Sequence, residues 1–411
     1  MSEIDDQSED PAEDIDAVFG DDPQLANETY LTELVQKKRE FAPWHHPVKQ
    51  IVRIEQWASL ANRLIRDRDF NSPLRYFTLP GPDLLDVRVL AEVCAKKGIS
   101  IDYFGFNSSI ATVPGQSGHV ESDRIFMAES AIRQSGVSTP TAYIMPDRLE
   151  DIANQESHAF AKLQQQQPFD IVNIDACNHL AFRSEGRQHS IFDALNSLLR
   201  HQMPAKAPWL LFITTRAEPA LLDDTAVEFD RAIAENLRIS ADNFGQALAE
   251  AIGAPRNNIG AALKAVWTRN DIEFLKIFTI GLSKYLLQYF HTQPNLRAGV
   301  ELASAYCYRV YGPAPDMAAL AFRITPGGVQ AIQPMASGAV VIPDLEEQQA
   351  IRVVQKAAKI RNIDESLESD EGLRKSAVDG TKILLGGSNY DLDAWEIWVT
   401  EHSERPIRIK A

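Results

Sequence analysis

Between Leu74 and Thr215 the chain keeps a steady rhythm. Five short runs of apolar, β-branched and aromatic residues alternate with stretches in which apolar positions recur at helical spacing. The runs fall at 74–79, 100–106, 141–145, 169–174 and 209–215, with helical stretches at 84–97, 120–134, 148–164 and 189–201 between them. This alternation predicts right-handed βαβ crossovers and a parallel sheet with helices on both faces. The runs at 169–174 and 209–215 are apolar almost throughout, as strands covered on both sides must be. After Arg216 the rhythm stops. Residues 220–289 read as mostly helical, and strand-like runs return at 303–310 and 317–324, separated by Tyr311-Gly312-Pro313-Ala314-Pro315, which predicts an antiparallel hairpin. Beyond it lie two further strand-like pieces (329–333 and 339–342), a helix at 345–360, a charged linker at 364–375, and a closing segment whose Trp395 and Trp398 are expected to anchor one face in the core.

This pattern divides the chain into an acidic tail (1–23), a basic helical segment (24–72), an α/β domain (73–325) with a helical insertion at about 218–298, and a C-terminal extension (326–411). With 411 residues, 45% hydrophobic and 24% charged, a sizeable core is available and global disorder is excluded. Three cysteines cannot make a disulfide framework, and no CxxC or paired-histidine spacing offers a structural zinc site. A reducing, cytoplasmic setting without structural metal is the expectation. The apolar runs are far too short for a membrane span, and the acidic start does not read as a signal peptide.

Charge changes the picture once it is located. The net charge is -16, but residues 1–22 hold ten acids and no Lys or Arg, which leaves -6 for the remainder. Such a tail is too charged to bury itself; it either solubilises the chain or covers a basic surface of the same molecule. A basic surface is expected between Lys37 and Arg75, where nine Lys or Arg face four acids. Pro47 suits a first helical turn. At about 100° per residue, Ile51, Ile54, Ala58, Ala61 and Ile65 share one face and Lys49, Arg53, Gln56 and Arg63 the other. With Trp44 upstream as a stacking ring, Lys49, Arg53 and Arg63 form a candidate grip on nucleic acid. A solvated helix face or a protein-partner contact has the same composition.

Five βα units followed by a hairpin resemble the class I S-adenosylmethionine-dependent methyltransferase fold, a seven-stranded sheet whose last two strands are an antiparallel pair. The resemblance covers roughly 75–325 and is topological before it is motif-based. It implies S-adenosylmethionine as cofactor, held past the carboxyl ends of the strands at the switch point beside the first and fourth. After the first strand the family carries an acid and a glycine-rich turn; here Leu79-Pro80-Gly81-Pro82-Asp83 stands there, so Gly81 and Asp83 are the implied cofactor residues. The second strand ends in Asn107 where the family has a ribose-gripping acid, and the third ends Met145-Pro146-Asp147, which places Asp147 for the adenine or as a helix N-cap. The fourth ends Asn173-Ile174-Asp175-Ala176-Cys177-Asn178-His179. Asp175 is the best single site candidate, with Asn178 beside it and His179 as a possible general base. Cys177 lacks the preceding Asp-Ala-Pro of RNA cytosine methyltransferases.

Other classes have no support: GxSxG and GxxxxGK[ST] are absent, and the glycine pairs at 327–328 and 386–387 read as turns. Two readings follow. One is a methyltransferase acting on nucleic acid or a nucleic-acid-associated protein; the other is a non-catalytic methyltransferase-like subunit that binds a protein partner or nucleic acid. The acidic leader, the Trp-His-His-Pro segment and the worn core are together similar to uncharacterised bacterial proteins of mobile-element or phage-defence gene sets.

Overall fold

The computed structural model describes residues 37–68, 72–108, 119–293, 297–327 and 345–402. The acidic tail and the strand-like pieces at 329–333 and 339–342 lie outside the described residues. The basic segment forms α1 (Pro47–Ile51), a π-helical turn (Val52–Ala58) and α2 (Ser59–Arg68). Pro47 does open the helix, and the His46 side chain accepts the Val48 N–H as its cap.

Then come β1 (Leu74–Thr78), α3 (Leu85–Ala95), β2 (Ile101–Phe106), α4 (His119–Gln134), β3 (Tyr143–Met145), α5 (His158–Gln164), β4 (Ile171–His179), α6 (Ile191–Gln202) and β5 (Trp209–Arg216). The stretch expected as one helix over 148–164 is split: a 3-10 turn (Leu149–Ala153) precedes α5, whose N-cap is Ser157. The insertion is α7 (Asp223–Ile239), α8 (Asn243–Ala251), α9 (Ile259–Val266) and α10 (Ile272–His291). β6 (Ala298–Tyr308) and β7 (Met317–Pro326) form the hairpin. α11 (Leu345–Ala357), β8 (Arg361–Asn362), α12 (Ile363–Ser369), α13 (Glu371–Gly386) and α14 (Leu392–Glu401) complete the described chain. The region read as a charged linker is thus helical, because the side chains of Asn362 and Asp370 act as N-caps and many of the other charges sit on partly exposed helix faces.

The strand order is β3-β2-β1-β4-β5-β7-β6-β8. The first five strands pair in parallel, while β7 is antiparallel to both β5 and β6. Among the described residues the sheet has eight strands, not seven, since β8 adds to the β6 edge. This is a mostly parallel α/β sheet, consistent with a methyltransferase-like fold. Winding runs outward from β1 through β2 to β3 on one side and through β4 to β5 on the other, so the reversal falls between β1 and β4 as expected.

Alternate residues feed two cores. Phe77, Leu211 and Ile213 pack with α6 and the insertion helices; Tyr76, Leu210 and Phe212 pack with the N-terminal helices, α3 and α4. Gly105 allows β2 to approach β1: a Cβ there would stand 2.2 Å from the Thr78 carbonyl oxygen.

Candidate functional site

The switch point opens a crevice over the carboxyl ends of β1 and β4. The loop from β1 turns tightly, Leu84 N–H donating to the Gly81 carbonyl at 3.0 Å, with buried Leu84 in the left-handed region at φ 51°. A residue with a Cβ adopts that conformation at a cost of roughly 1–2 kcal/mol, so the surroundings hold the loop in place.

Two compartments make the crevice. One, of about 240 Å³, is bordered by Gly81, Asp83, Asn107, Asp175 and Cys177 at the ends of β1, β2 and β4, by Trp44, Lys49 and Arg53 of the N-terminal segment, and by Tyr308 and Tyr311 of the hairpin. The other, of about 200 Å³, lies over β2 and β3 against Phe106, Asp147, Leu149 and Asn178, and shares Leu79, Asp175, Ala176 and Cys177 with the first. Gly81, Asn107, Asp147, Asp175 and Asn178, scattered in sequence, therefore meet around one crevice. His179 borders neither compartment; it stands in register with Arg216 at the end of β4, edge-on to Phe182, and burial and then Arg216 lower its pKa. β4 runs through these polar residues with a register shift between Asp175 and His179, so they belong to an irregular strand end and not to a loop after the strand.

The expected basic face is corrected. Lys49 and Arg53 are buried and border the crevice, which withdraws them from a phosphate backbone in solvent, and Trp44 stands beside them. Of the four candidate nucleic-acid residues, Arg63 alone is exposed, and Ile54, expected inside, is 47% exposed. The physical reasons are two. The π-helical turn breaks the 100° spacing, and α1 is covered on more than one side, with α13 and α12 packed against it. A surface-helix template therefore does not apply.

Lys49 Nζ lies 2.5 Å from Asp175 Oδ1 and 4.9 Å from the Trp57 ring centroid. Burial pushes the Lys49 ammonium below its ordinary range, with Asp175 opposing. Asp83 is a hub: it accepts from Lys38 at 2.5 Å, Arg124 at 2.7 Å and the Tyr390 hydroxyl at 2.5 Å. Burial raises its pKa, but Lys38 and Arg124 outweigh that and hold the carboxyl below its usual range. Because Tyr390 donates to Asp83, its oxygen is left to accept from Arg124 at 2.7 Å and from His45 Nε2 at 3.1 Å. His45 Nδ1 accepts the Ala42 N–H, and Trp395 Nε1 donates to the His45 carbonyl. His45 is thus a neutral, Nε2-protonated ring, its pKa lowered by burial to about 3.

Beneath the crevice, Asp86 accepts from the Tyr76 and Thr78 hydroxyls, Asn173 donates to Tyr76, and burial raises the Asp86 pKa. Asn107 donates its amide to the Pro80 carbonyl at 2.8 Å, and Asp147 lies 3.6 Å from His158. Crowding at the crevice, and then Asp175, push the Cys177 thiol up to about 11, which leaves little thiolate at neutral pH. The three cysteines are free. Among the described residues no group of side chains is arranged to hold a metal ion, and no helix is long and apolar enough to cross a membrane. Sequence reasoning missed Lys38, Asp86, Arg124, Tyr308, Tyr311 and Tyr390; an acid in the apolar first turn of α3 was the available signal for Asp86.

A family model described as PP_RS20740-like matches residues 38–400. The chain belongs to that family. The matched span includes Lys38, the whole sheet and Tyr390, so the family's length contains every wall of the crevice. No curated protein matches the chain. Among solved structures, the plantazolicin methyltransferase BpumL in complex with SAH is similar to it at 12% identity over 67% of this chain and 84% of that one, with a TM-score of 0.29.

Proposed function

We propose that this protein binds S-adenosylmethionine in the crevice and is a methyltransferase-like enzyme acting on a small acceptor. The observation that carries the reading is the convergence of Gly81, Asn107, Asp147 and Asp175 at the reversal between β1 and β4. The residues fit such a group. The compartment over β2 and β3 sets Phe106, Leu149 and Ile191 among polar residues that include Asp147, Glu150 and Asn178, which offers a purine both a face to lie on and hydrogen-bond partners. At Gly81 an added Cβ would meet only Trp44 Nε1, at 3.9 Å, so the backbone there stays open to a ligand. Asp175 stands where the compartments join and is held by Lys49. When bound, the cofactor supplies a reactive methyl group; the chain's part is to hold the acceptor in line with it and keep water out.

The alternative, a non-catalytic methyltransferase-like subunit, has its own support: Asp83 is taken up by Lys38, Arg124 and Tyr390, and Asn107 by Pro80. Calorimetric titration decides between them. The enzymatic reading expects S-adenosylhomocysteine to bind with about micromolar affinity or better, with binding abolished by Asp175→Ala. Silence at millimolar ligand leaves the subunit.

A further inference from the structure

We infer that Arg53, with Lys49 beside it, builds an oxyanion subsite in the crevice for the carboxylate or phosphate of a small-molecule ligand. The inference rests on the reading that the crevice is a ligand site and names the chemistry it selects. Arg53 is 3% exposed. Its Nη2 donates to the Trp44 carbonyl at 2.8 Å, while Nε and Nη1 are buried with no hydrogen-bond partner. A guanidinium cannot shed its proton to escape burial, so an unpaired one costs far more than one hydrogen bond to a carbonyl returns.

The neighbouring acids do not balance it. Asp175 is matched by Lys49 at 2.5 Å, Asp83 is matched by Lys38 and Arg124, and Asp86 takes its hydrogen bonds from two hydroxyls. Of the two buried cations on the wall, Lys49 has a carboxylate partner in Asp175, whereas Arg53 is held only by a carbonyl and keeps two nitrogens without a partner. The free Nε and Nη1 hydrogens are donors, and a carboxylate or phosphate oxygen is the charged acceptor that suits a buried guanidinium. A second observation is independent of charge. Arg53 sits in the π-helical stretch Val52–Ala58, a rare form that is frequent at functional sites. The volume of about 240 Å³, bordered by the chain's own Pro43, Trp44, Lys49 and Arg53, suits a small acid.

The test uses the full chain as wild type, Arg53→Met and Arg53→Lys. Four probes are titrated: inorganic phosphate, acetate, S-adenosylhomocysteine, and 5′-methylthioadenosine, which lacks the carboxylate. If phosphate or acetate binds wild type and Arg53→Met weakens it by about tenfold or more, the subsite stands and serves a separate small acid. If the nucleosides bind but phosphate and acetate do not, and Arg53→Met weakens S-adenosylhomocysteine by about tenfold or more while leaving 5′-methylthioadenosine unchanged, the subsite stands and the anion is the nucleoside's own carboxylate. Phosphate binding that depends on Arg53, with no nucleoside bound, keeps the subsite and removes the methyltransferase reading. Arg53→Met without anion is expected to melt no lower than wild type, since it removes an unpaired buried charge. Should that variant fail to fold, Arg53→Lys, which keeps charge and loses the fork, must show the weakening. Wild type that binds no probe, or variants that bind every probe as wild type does, overturns the inference.

Discussion

The crevice and the groove between the β6–β7 hairpin and α11 make an instructive pair. The groove is the larger, at about 750 Å³ against about 240 Å³ for the main compartment of the crevice, and it too is basic, with Arg323, Arg352, Lys356 and Lys359 on its walls. Yet Arg352, Lys356 and Lys359 are exposed, and Arg323 is paired with Asp67 at 3.0 Å. Water already solvates those charges at little cost, so nothing in the groove asks for a ligand. In the crevice Lys49 and Arg53 are buried, and their partners are few and specific. Desolvated charge, not volume, marks the site.

That contrast can be broken. At neutral pH the largest effect is expected from Asp175→Ala, which leaves Lys49 buried and unpaired; urea unfolding should show a loss of about 3 kcal/mol, the low end of the range for breaking a buried pair because Asp175 is partly exposed. An Asp175→Ala chain as stable as wild type would place the pair among surface ion pairs.

Acid comes next. His45 is held neutral, with its pKa lowered from 6.5 to about 3, so the unfolded chain takes up a proton that the folded chain refuses. Stability is complete above pH 6.5 and falls by about 1.4 kcal/mol per pH unit as pH drops toward 3. Asp83, whose carboxyl is held below its ordinary value, adds a further loss once pH passes below 3.8. His45→Gln should flatten the upper part of this slope in denaturation midpoints measured from pH 7 to 4; a slope that survives the substitution assigns the acid sensitivity elsewhere.

Tyr390→Phe removes one donor and two acceptor contacts from the hub and should cost about 1–2 kcal/mol in thermal unfolding. The smallest effect belongs to the groove: Arg352→Glu with Lys356→Glu should stay within about 0.5 kcal/mol of wild type and leave S-adenosylhomocysteine affinity unchanged. A large effect there would erase the distinction between the two regions.

The strands were legible because buried strands are short runs rich in apolar and aromatic residues between helical stretches: β5 begins at Trp209 as expected, and β1 and β2 fall within a residue of expectation. The crevice floor was legible for a related reason, since topology alone carries Gly81, Asn107 and Asp175 to the switch point. The walls were not. The periodicity of residues 47–65 assumes one solvent face and straight α-helical spacing, and this segment has neither, so Lys49 and Arg53 read as surface and Ile54 as core. The eighth strand is two residues long, too short to leave a pattern. The hub joins Asp83 to Tyr390, 307 positions away, a distance over which local pattern carries no information.

That same hub sets an order on assembly. Lys38, Asp83 and Arg124 are in place early in synthesis, but Tyr390 is added 307 residues after Asp83, and Trp395 later still. The parallel layer can form while translation continues, whereas the clasp over its carboxyl edge closes only once α13 and α14 have left the ribosome. A nascent molecule therefore carries Asp83 without its full set of partners for most of its synthesis, and completes the hub in one late step.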